Sequence, residues 1–202
     1  MKSPWTRRSF PQSSRSSRPV STARSFLQEA IESVLQQDFP HVEYIVADGG
    51  SNDGTLEILE SYGERVRWFS AADGGTADAV NRGFAASRGA NFAYLHADDV
   101  LLPGAVSAAV TALPADGEAT GVYGDAWWID EHGNRLRPYP VQDFDPAVFV
   151  RECFICQPAS FLRREVFENL GGLEPSLHFT FDYEFWLRLA RAPVTSWSGP
   201  GA

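Results

Sequence analysis

The sequence is poor in sulfur, and several common site signatures do not occur in it. Of its 202 residues only Cys153 and Cys156 are cysteine, and only one is methionine. Two cysteines do not make the disulfide framework of a small secreted scaffold, and their scarcity is typical of a reducing cytoplasm. No apolar run approaches the roughly 20 residues that cross a bilayer, so no transmembrane segment is predicted. Neither a G-x-G-x-x-G after a strand nor a P-loop lysine occurs, which leaves out the two common nucleotide fingerprints.

Positive charge is also scarce outside the first residues. The net charge is -9, and because residues 1 to 24 carry six Lys or Arg and no acid, contributing +6, the rest of the chain carries -15. Such an acidic body argues against nucleic acid as a partner. An acidic protein can still bind a diphosphate ligand if a divalent cation bridges the carboxylates and the phosphates.

The remaining pattern predicts one α/β domain over residues 25 to 191. Residues 1 to 24 are rich in Ser, Arg and Pro without periodicity, which predicts a disordered or frame-shifted segment. From Phe26 onward an amphipathic helix begins, and strands and helices then alternate to about residue 115, which predicts a mostly parallel central sheet flanked by helices. A hairpin is predicted between Trp127 and Tyr139. Residues 192 to 202 have no periodicity and predict an irregular tail, compatible with a truncated product.

Acidic residues follow the predicted strands. Asp48 and Asp73 each come after an apolar run, and Asp98 and Asp99 follow the run Phe92 to Leu95. In a parallel sheet these ends open at one edge, so the carboxylates are expected to converge there. The adjacent acids repel each other unless a cation lies beside them, and Mg²⁺ and Mn²⁺ prefer such oxygen ligands. For any single acid, a cap or turn is the commoner explanation, and it is their convergence that favours a site.

Taken together, these stretches resemble the family-2 glycosyltransferases, whose GT-A fold is a Rossmann-like α/β fold. The resemblance covers Phe26 to Arg191, which is more than four-fifths of the chain. The matching stretches, in this order, are residues 26 to 37, Asp48 to Thr55, Asp73-Gly74-Gly75 with Asp78 to Gly83, Asp98-Asp99, and Asp182 to Arg188.

The resemblance implies an activity and a set of partners. It implies inverting transfer of a sugar from a UDP-, GDP- or dTDP-sugar donor to an acceptor hydroxyl, in bacterial polysaccharide or glycan assembly. The acceptor would be a glycan, a lipid-linked saccharide or a protein, and Mn²⁺ or Mg²⁺ would be the cofactor. A cytoplasmic location is expected, including a peripheral one at the inner face of the membrane.

The resemblance also implies roles for individual residues. Asp48 would contact the nucleobase, Asp98 would face the ribose and Asp99 would bind the metal. Asp182 would be the catalytic base, at the start of a helix whose dipole favours its ionised form; Phe181 stands before it, where the family usually has Glu. The rest of the donor site would be lined by Asp73, Gly74, Gly75, Asp78 and Asn81.

The first strand of the family is missing or degenerate, since Arg15 to Arg24 holds its position and cannot form a buried strand. One choice of codons for Ser14 to Thr22, read in a shifted frame, encodes Thr-Val-Val-Thr-Pro-Ser-Phe-Asn, which has the pattern of that strand and turn. A frame shift is therefore a hypothesis that the coding DNA tests. Two alternatives to an active enzyme stay open: an inactive truncated or frame-shifted fragment, and a nucleotide-binding module without turnover.

Other residues have two interpretations each. Cys153 and Cys156 have zinc or redox spacing, but zinc takes four ligands and there is no second pair, so burial in the core is favoured. His96 is a candidate metal or ribose contact, and His178 a candidate for shaping the acceptor site; packing and loop positions are the alternatives. Trp127 and Trp128 are candidates for stacking on a sugar, although strand alternation predicts that one of them is core.

Overall fold

The computed structural model describes residues 20–113, 119–191 and 197–198, with side chains for 26–113 and 119–191. Most of the segment predicted to be disordered or frame-shifted, residues 1–19, lies outside the described residues. In chain order the helices are α1 (Val20–Leu35), α2 (Thr55–Ser61), α3 (Thr76–Ala86), α4 (Ala105–Ala112), α5 (Pro146–Phe149), α6 (Arg164–Asn169) and α7 (Phe181–Arg191). The strands are β1 (Ile45–Asp48), β2 (Arg67–Ser70), β3 (Asn91–Phe92), β4 (Gly121–Tyr123), β5 (Trp127–Ile129), β6 (Arg135–Pro138), β7 (Ser160–Arg163) and β8 (Trp197–Ser198).

The strands form two sheets and a separate hairpin. β1 and β2 are parallel, with Ile45 opposite Arg67 and Asp48 opposite Ser70. The second sheet has the order β3-β7-β4-β8, in which β7 is antiparallel to β3 and β4, and β8 is parallel to β4. β3 and β4 therefore run in the same direction, and their carboxyl ends leave the sheet at the same edge. β5 and β6 form the predicted antiparallel hairpin just after β4.

Helix α1 and the residues just after it contact the β1–β2 sheet on one side and the region around the start of α4 on the other. Leu27 and Ile31, which are 7% and 0% exposed, pack into a cluster with α2 and β1. From the other side, the hydroxyl of Ser33 accepts a hydrogen bond from the N–H of Leu101 at 3.0 Å. The Gln37 amide donates to the carbonyl of Leu102 at 3.1 Å and accepts from the N–H of Val106 at 3.0 Å. The amphipathic pattern thus places α1 between the β1–β2 sheet and the segment that leads into α4.

An aromatic core fixes the last helix against the second sheet and α3. The ring of Phe167 lies 4.3 Å from that of Phe84, 4.8 Å from that of Phe92 and 5.2 Å from that of Phe185. Burying each such ring stabilises the fold by roughly 1.5–3 kcal/mol. Because Phe84 is on α3 and Phe185 on α7, this cluster sets the position of α7 relative to α3.

Three boundaries differ from the sequence prediction. α1 begins at Val20, within the segment predicted to lack structure, and β8 lies in the tail predicted to be irregular. β3 ends at Phe92 instead of Leu95, although the register of its ladder with β7 would place Tyr94 opposite Ser160. Beyond the end of β3, the buried Gln157 side chain donates a hydrogen bond to the carbonyl of Tyr94 at 2.6 Å.

The central sheet is divided where the sequence predicts a missing strand. Among the described residues β1 pairs only with β2, and no strand joins β1 to β3. Of the stretch Ser14 to Thr22 to which the frame-shift hypothesis applies, residues 14–19 lie outside the described residues, and residues 20–22 belong to α1. Within the described part of the chain, no helix has the length and apolar character that crossing a bilayer requires.

Candidate active site

Asp48 ends β1 and is held by four hydrogen bonds. Its side chain is 8% exposed, and its carboxylate accepts hydrogen bonds from the hydroxyls of Ser51 and Ser70, both at 2.5 Å. The N–H groups of Gly50 and Ser51 donate to the same carboxylate at 3.0 and 2.9 Å. Burial alone would raise the pKa of Asp48, but these hydrogen bonds together outweigh burial and hold the pKa below its ordinary value. Asp48 is thus an ionised anchor of the 48–51 turn, and its contact with a nucleobase stays a prediction.

Asp73 brings the turn after β2 against the turn after β1. Its Oδ1 accepts a hydrogen bond from the N–H of Gly75 at 2.9 Å. A Cβ on Gly49 would lie 2.8 Å from Asp73 Oδ2, so the close approach of the two turns requires a glycine at 49. On the other side, a Cβ on Gly75 would lie 3.6 Å from Nδ1 of His178. The Gly75 turn therefore lies between the 48–51 turn and the loop that precedes α7.

Two residues of α3 that were predicted to line the donor site are engaged by the protein itself. Asp78 Oδ2 accepts a hydrogen bond from the N–H of Gly74 at 2.9 Å and forms an ion pair with Arg82 at 2.7 Å. The Asn81 amide donates to the carbonyl of Leu173 at 2.8 Å and accepts from the N–H of the same residue at 2.9 Å. Asp78 therefore shapes the turn at Gly74, and Asn81 holds the loop before α7. A direct contact of Asn81 with a donor stays a prediction.

The acid pair, Asp98 and Asp99, lies in a turn beyond β3. The N–H of Asp99 donates to the carbonyl of His96 at 3.1 Å. Asp98 is half-buried, whereas Asp99 is only 1% exposed. Burying an ionised carboxylate costs free energy unless a partner compensates, and a divalent cation is such a partner. Asp98 is the more accessible of the two carboxylates.

The donor set around the acid pair fits a cation that arrives with its substrate. Within residues 26–113 and 119–191, no three His, Cys, Asp or Glu side chains cluster into a metal-binding group. Enzymes usually hold Mg²⁺ through one or two carboxylates together with substrate phosphates. Two adjacent carboxylates suit this arrangement, and they do not suit a resident metal centre built from protein ligands alone.

Asp182 lies in the first turn of α7. It is half-buried, and its Oδ1 accepts a hydrogen bond from the N–H of Tyr183 at 2.8 Å. The positive end of the helix dipole favours negative charge at this position. The preceding Phe181 is 6% exposed, and its ring centroid lies 6.4 Å from that of His96. The start of α7 therefore packs against the segment that carries the acid pair.

Arg188 fixes α7 in place, a role that the sequence analysis did not assign. Its Nε donates to Glu184 at 2.6 Å, and its Nη atoms donate to the carbonyls of Leu170 at 2.5 Å and Gly172 at 2.7 Å. A Cβ on Gly172 would lie 2.7 Å from Asn81 Oδ1, so α3 and α7 bind adjacent positions of one loop. The spacing of Glu184 and Arg188 is the helical i, i+4 pattern of an ion pair, and this was the signal available in the sequence.

The four acid-bearing segments meet through three contacts. Asp73 lies against Gly49, the neighbour of Asp48, and Gly75 faces His178 in the loop before α7. His96 packs its ring near Phe181, the neighbour of Asp182. These contacts bring the ends of β1, β2 and β3 together with the start of α7, which is the arrangement expected of a site at the carboxyl edge of a sheet.

The two tryptophans predicted to stack on a sugar are covered by arginines. Trp127 and Trp128 are both half-buried. The guanidinium of Arg135 lies 5.2 Å from the ring centroid of Trp127, and that of Arg137 lies 5.3 Å from that of Trp128. A sugar would have to displace these cation–π contacts before it could stack here.

The two cysteines are free thiols, and their positions agree with a packing role. Cys156 is 1% exposed and belongs to a core cluster with α4 and β4. Cys153 is half-buried and packs against the main core. The described residues bring no third metal-ligating side chain to the two cysteines, so their surroundings do not form a zinc site.

Comparison with known proteins decides the family. A family model described as glycosyl transferase family 2 matches residues 19–171, well over half of the chain. The chain belongs to glycosyl transferase family 2. This family-2 glycosyltransferase is 30% identical over 192 residues to an uncharacterized glycosyltransferase of Rickettsia conorii, in a match that covers 87% of this chain and 31% of the relative. It is also 30% identical over 181 residues to a PGL/p-HBAD biosynthesis glycosyltransferase of Mycobacterium bovis, which covers 87% of this chain and 69% of the relative.

Solved structures confirm the GT-A architecture. The fold is similar to that of Staphylococcus aureus TarS 1-349 in complex with UDP, with a TM-score of 0.64, 17% identity, and coverage of 84% of this chain and 52% of that one. It is similar to the mannosyltransferase PcManGT of Pyrobaculum calidifontis in complex with GDP-Man and Mn²⁺, with a TM-score of 0.56, 18% identity, and coverage of 76% and 45%. The family-2 chain spans 31% of the length of two of the Rickettsia relatives that it matches and 57% of the length of two others.

Proposed function

We propose that this chain transfers a sugar from a nucleoside diphosphate donor to an acceptor hydroxyl, with inversion at the anomeric carbon. The observation that carries the proposal is the meeting of the four acid-bearing segments at one edge, through the contacts at Gly49, Gly75 and His96. Family membership supports the reaction class. The nucleotide and nucleotide-sugar complexes of TarS and PcManGT support a nucleotide-sugar donor.

The donor would lie across the turns at the ends of β1 and β2. We assign Asp48 and its 48–51 turn to the nucleobase end, and the Asp73-Gly74-Gly75 turn to the diphosphate and sugar. The backbone there is exposed at Gly74, which allows a close approach to a ligand. Asp78 supports the Gly74 turn from α3, Asn81 holds the loop before α7, and Asp98 faces the ribose.

Asp99 is assigned to a divalent cation, Mn²⁺ or Mg²⁺. When bound, such an ion stabilises the negative charge that develops on the departing diphosphate. The position of Asp99 directly beside Asp98, in the turn beyond β3, supports the assignment, because one or two carboxylates together with substrate phosphates are the usual ligands of Mg²⁺ in enzymes. The Mn²⁺ in the PcManGT complex is a further support from a protein of the same fold.

Asp182 is assigned to proton transfer. The acceptor oxygen forms a bond to the anomeric carbon while the bond from that carbon to the diphosphate oxygen breaks, and the hydroxyl proton passes to the Asp182 carboxylate. A carboxylate within hydrogen-bond reach contributes about 10²–10⁴-fold to such a step. Its place at the start of α7 supports the assignment, because the helix dipole favours the ionised form that accepts a proton.

Thermal melting with nucleotides tests donor binding. A ligand at 100 times its Kd stabilises a protein by about 2.7 kcal/mol, and for about 200 residues each kcal/mol raises Tm by roughly 2–4 °C. We therefore expect one of UDP, GDP or dTDP, added with Mn²⁺, to raise Tm by about 5–11 °C, and the matching nucleoside monophosphate to raise it less.

Release of free sugar from the matching nucleotide sugar tests turnover. A Tm increase with sugar release supports the enzyme, whereas a Tm increase without release or transfer favours a nucleotide-binding module. A chain with no cooperative melt in any condition favours an inactive fragment, and either of these last two results contradicts the proposed function.

A further inference from the structure

The loop before α7 holds an aromatic ring that the protein leaves in solvent. Phe179 is 61% exposed, whereas Phe181, two residues later, is 6% exposed. Among the described residues, the other exposed large hydrophobic side chains are Val42 at 38%, Leu136 at 63% and Val150 at 55%, and none of them is aromatic. Isolated apolar side chains are common on protein surfaces, so it is the position of this ring that carries the inference.

Phe179 is held at a defined place because its neighbours on both sides are anchored. His178 lies beside Gly75, with Nδ1 3.6 Å from the position of a Cβ there. On the other side, the carbonyl of Thr180 accepts the hydrogen bond of the Glu184 N–H at 2.9 Å, and the Phe181 ring packs near His96. Phe179 therefore stands in the chain directly after the residue that faces the Gly75 turn and three residues before Asp182 in the first turn of α7.

We propose that Phe179 is a stacking platform for the acceptor, and that the acceptor group is a pyranose ring of a saccharide. This inference rests on the proposed function, because it places the acceptor beside the base assigned there. The C–H face of a pyranose is apolar and matches an aromatic ring, while its hydroxyl groups point outward from the ring edge. Stacking on Phe179 would hold one such hydroxyl toward Asp182 without using any hydrogen bond of that hydroxyl.

The other aromatic candidates do not offer the same surface. The rings of Trp127 and Trp128 are covered by the guanidinium groups of Arg135 and Arg137. Phe179 is flanked by the exposed polar residues His178 and Thr180, and one ring is far smaller than a stable protein interface or a membrane-inserting helix face requires. A partner of the size of one sugar ring fits the platform.

The experiment compares acceptor and donor kinetics in matched variants of the full chain. Phe179→Ala removes the ring, Phe179→Tyr keeps it, and Leu136→Ala removes an apolar side chain of equal exposure, 63%, on the hairpin. The probe acceptors are methyl glucoside, methyl galactoside and N-acetylglucosamine, with glycerol and a serine peptide as acceptors that lack a pyranose.

The expected result is a change in acceptor KM alone. Phe179→Ala raises KM for the best pyranoside about tenfold, while kcat and the donor KM change less than threefold. Phe179→Tyr and Leu136→Ala both stay within threefold of the unsubstituted chain in every parameter. Saturation-transfer NMR with the same pyranosides, in the presence of the nucleotide and Mn²⁺, is expected to lose its signal in Phe179→Ala and keep it in Phe179→Tyr.

Several results would overturn the inference while leaving the proposed function intact. An unchanged acceptor KM in Phe179→Ala would remove the platform, and an increase in donor KM instead would place the ring on the nucleobase. Transfer to glycerol or the peptide as efficient as transfer to pyranosides would refute a saccharide acceptor. Failure of the proposed function is separate, because it is read from nucleotide-dependent melting and sugar release by the unsubstituted chain.

Discussion

Replacement of Gly172 by alanine tests the contact that ties α3 to the loop before α7. Gly172 has a φ of +76°, and a Cβ there would lie 2.7 Å from Asn81 Oδ1 and 3.3 Å from an edge carbon of Phe167. Asn81 Oδ1 is the atom that accepts the hydrogen bond from Leu173. The added methyl group therefore requires the Asn81 amide to move away from its partner.

The neighbouring glycine provides a matched control. Gly171 has a φ of +78°, and no atom lies within 4 Å of a Cβ built on it. Alanine in the left-handed region costs about 1–2 kcal/mol, and both variants carry this cost. Gly172→Ala additionally loses the two Asn81–Leu173 hydrogen bonds, at about 0.5–1.5 kcal/mol each. We expect Gly171→Ala to lower the free energy of unfolding by about 1–2 kcal/mol and Gly172→Ala by about 2–5 kcal/mol.

Urea unfolding at neutral pH measures both variants, with the slope m as a check that the unfolding transition is comparable. The two glycine substitutions are also made in the Asn81→Ala variant, because that change removes the amide that obstructs a Cβ at position 172. In that background Gly172→Ala should cost no more than Gly171→Ala does alone, as a double-mutant cycle would show. The reasoning is refuted if Gly171→Ala and Gly172→Ala agree within about 0.5 kcal/mol in the unsubstituted chain, which is the usual error of additivity.

Three further substitutions address the acids of the site. Ser70→Ala removes one hydrogen bond to Asp48 and is expected to cost about 1 kcal/mol at pH 7. Because the folded pKa of Asp48 is lowered, the stabilising effect of its carboxylate is present above the unfolded pKa of about 3.9 and is lost as pH falls through the folded pKa. The loss of stability caused by Ser70→Ala, measured from urea midpoints, should therefore be smaller at low pH than at pH 7. An equal loss at both pH values would contradict this. Asp99→Asn should abolish the Mn²⁺-dependent part of the nucleotide-induced Tm increase, and an unchanged Mn²⁺ response counts against the metal assignment. Asp182→Asn should keep nucleotide binding and lower transfer by about 10²–10⁴-fold, so normal turnover would place the base elsewhere.

Local periodicity predicted the elements whose signals are local. The apolar face of α1 was readable from Leu27, Ile31 and their neighbours, because residues three and four apart share a helix face. The β5–β6 hairpin was readable from the turn at Gly133 between two strand-like runs. The acids at the strand ends were also predictable from local sequence, because each follows a short apolar run.

Contacts between distant residues were not readable in this way. The hydrogen bond of Gln157 to the Tyr94 carbonyl joins positions 63 apart, and that of Asn81 to Leu173 joins positions 92 apart. The first binds the chain two residues beyond the end of β3, and the second engages an amide that the family resemblance assigned to the donor. No property of Asn81 in its own stretch of sequence distinguishes the two uses of its side chain. The same holds for β8, whose two residues form a strand only because β4 lies beside them.

The divided sheet changes which contacts determine the geometry of catalysis. In the described residues no strand joins β1 to β3, so the turns proposed to bind the donor and the proposed base, Asp182, are not aligned by one continuous sheet. Their relative position depends on the α3–α7 connection, in which Asn81 holds Leu173 and Arg188 holds the carbonyl of Gly172. A misplacement of about 1 Å at a reacting group costs up to 10²-fold in rate. Asn81→Ala should therefore lower kcat while leaving the donor KM nearly unchanged, whereas a direct donor contact at Asn81 would raise the donor KM. Steady-state kinetics of this one variant distinguish the connection seen in the structure from the role that the resemblance assigned to the same residue.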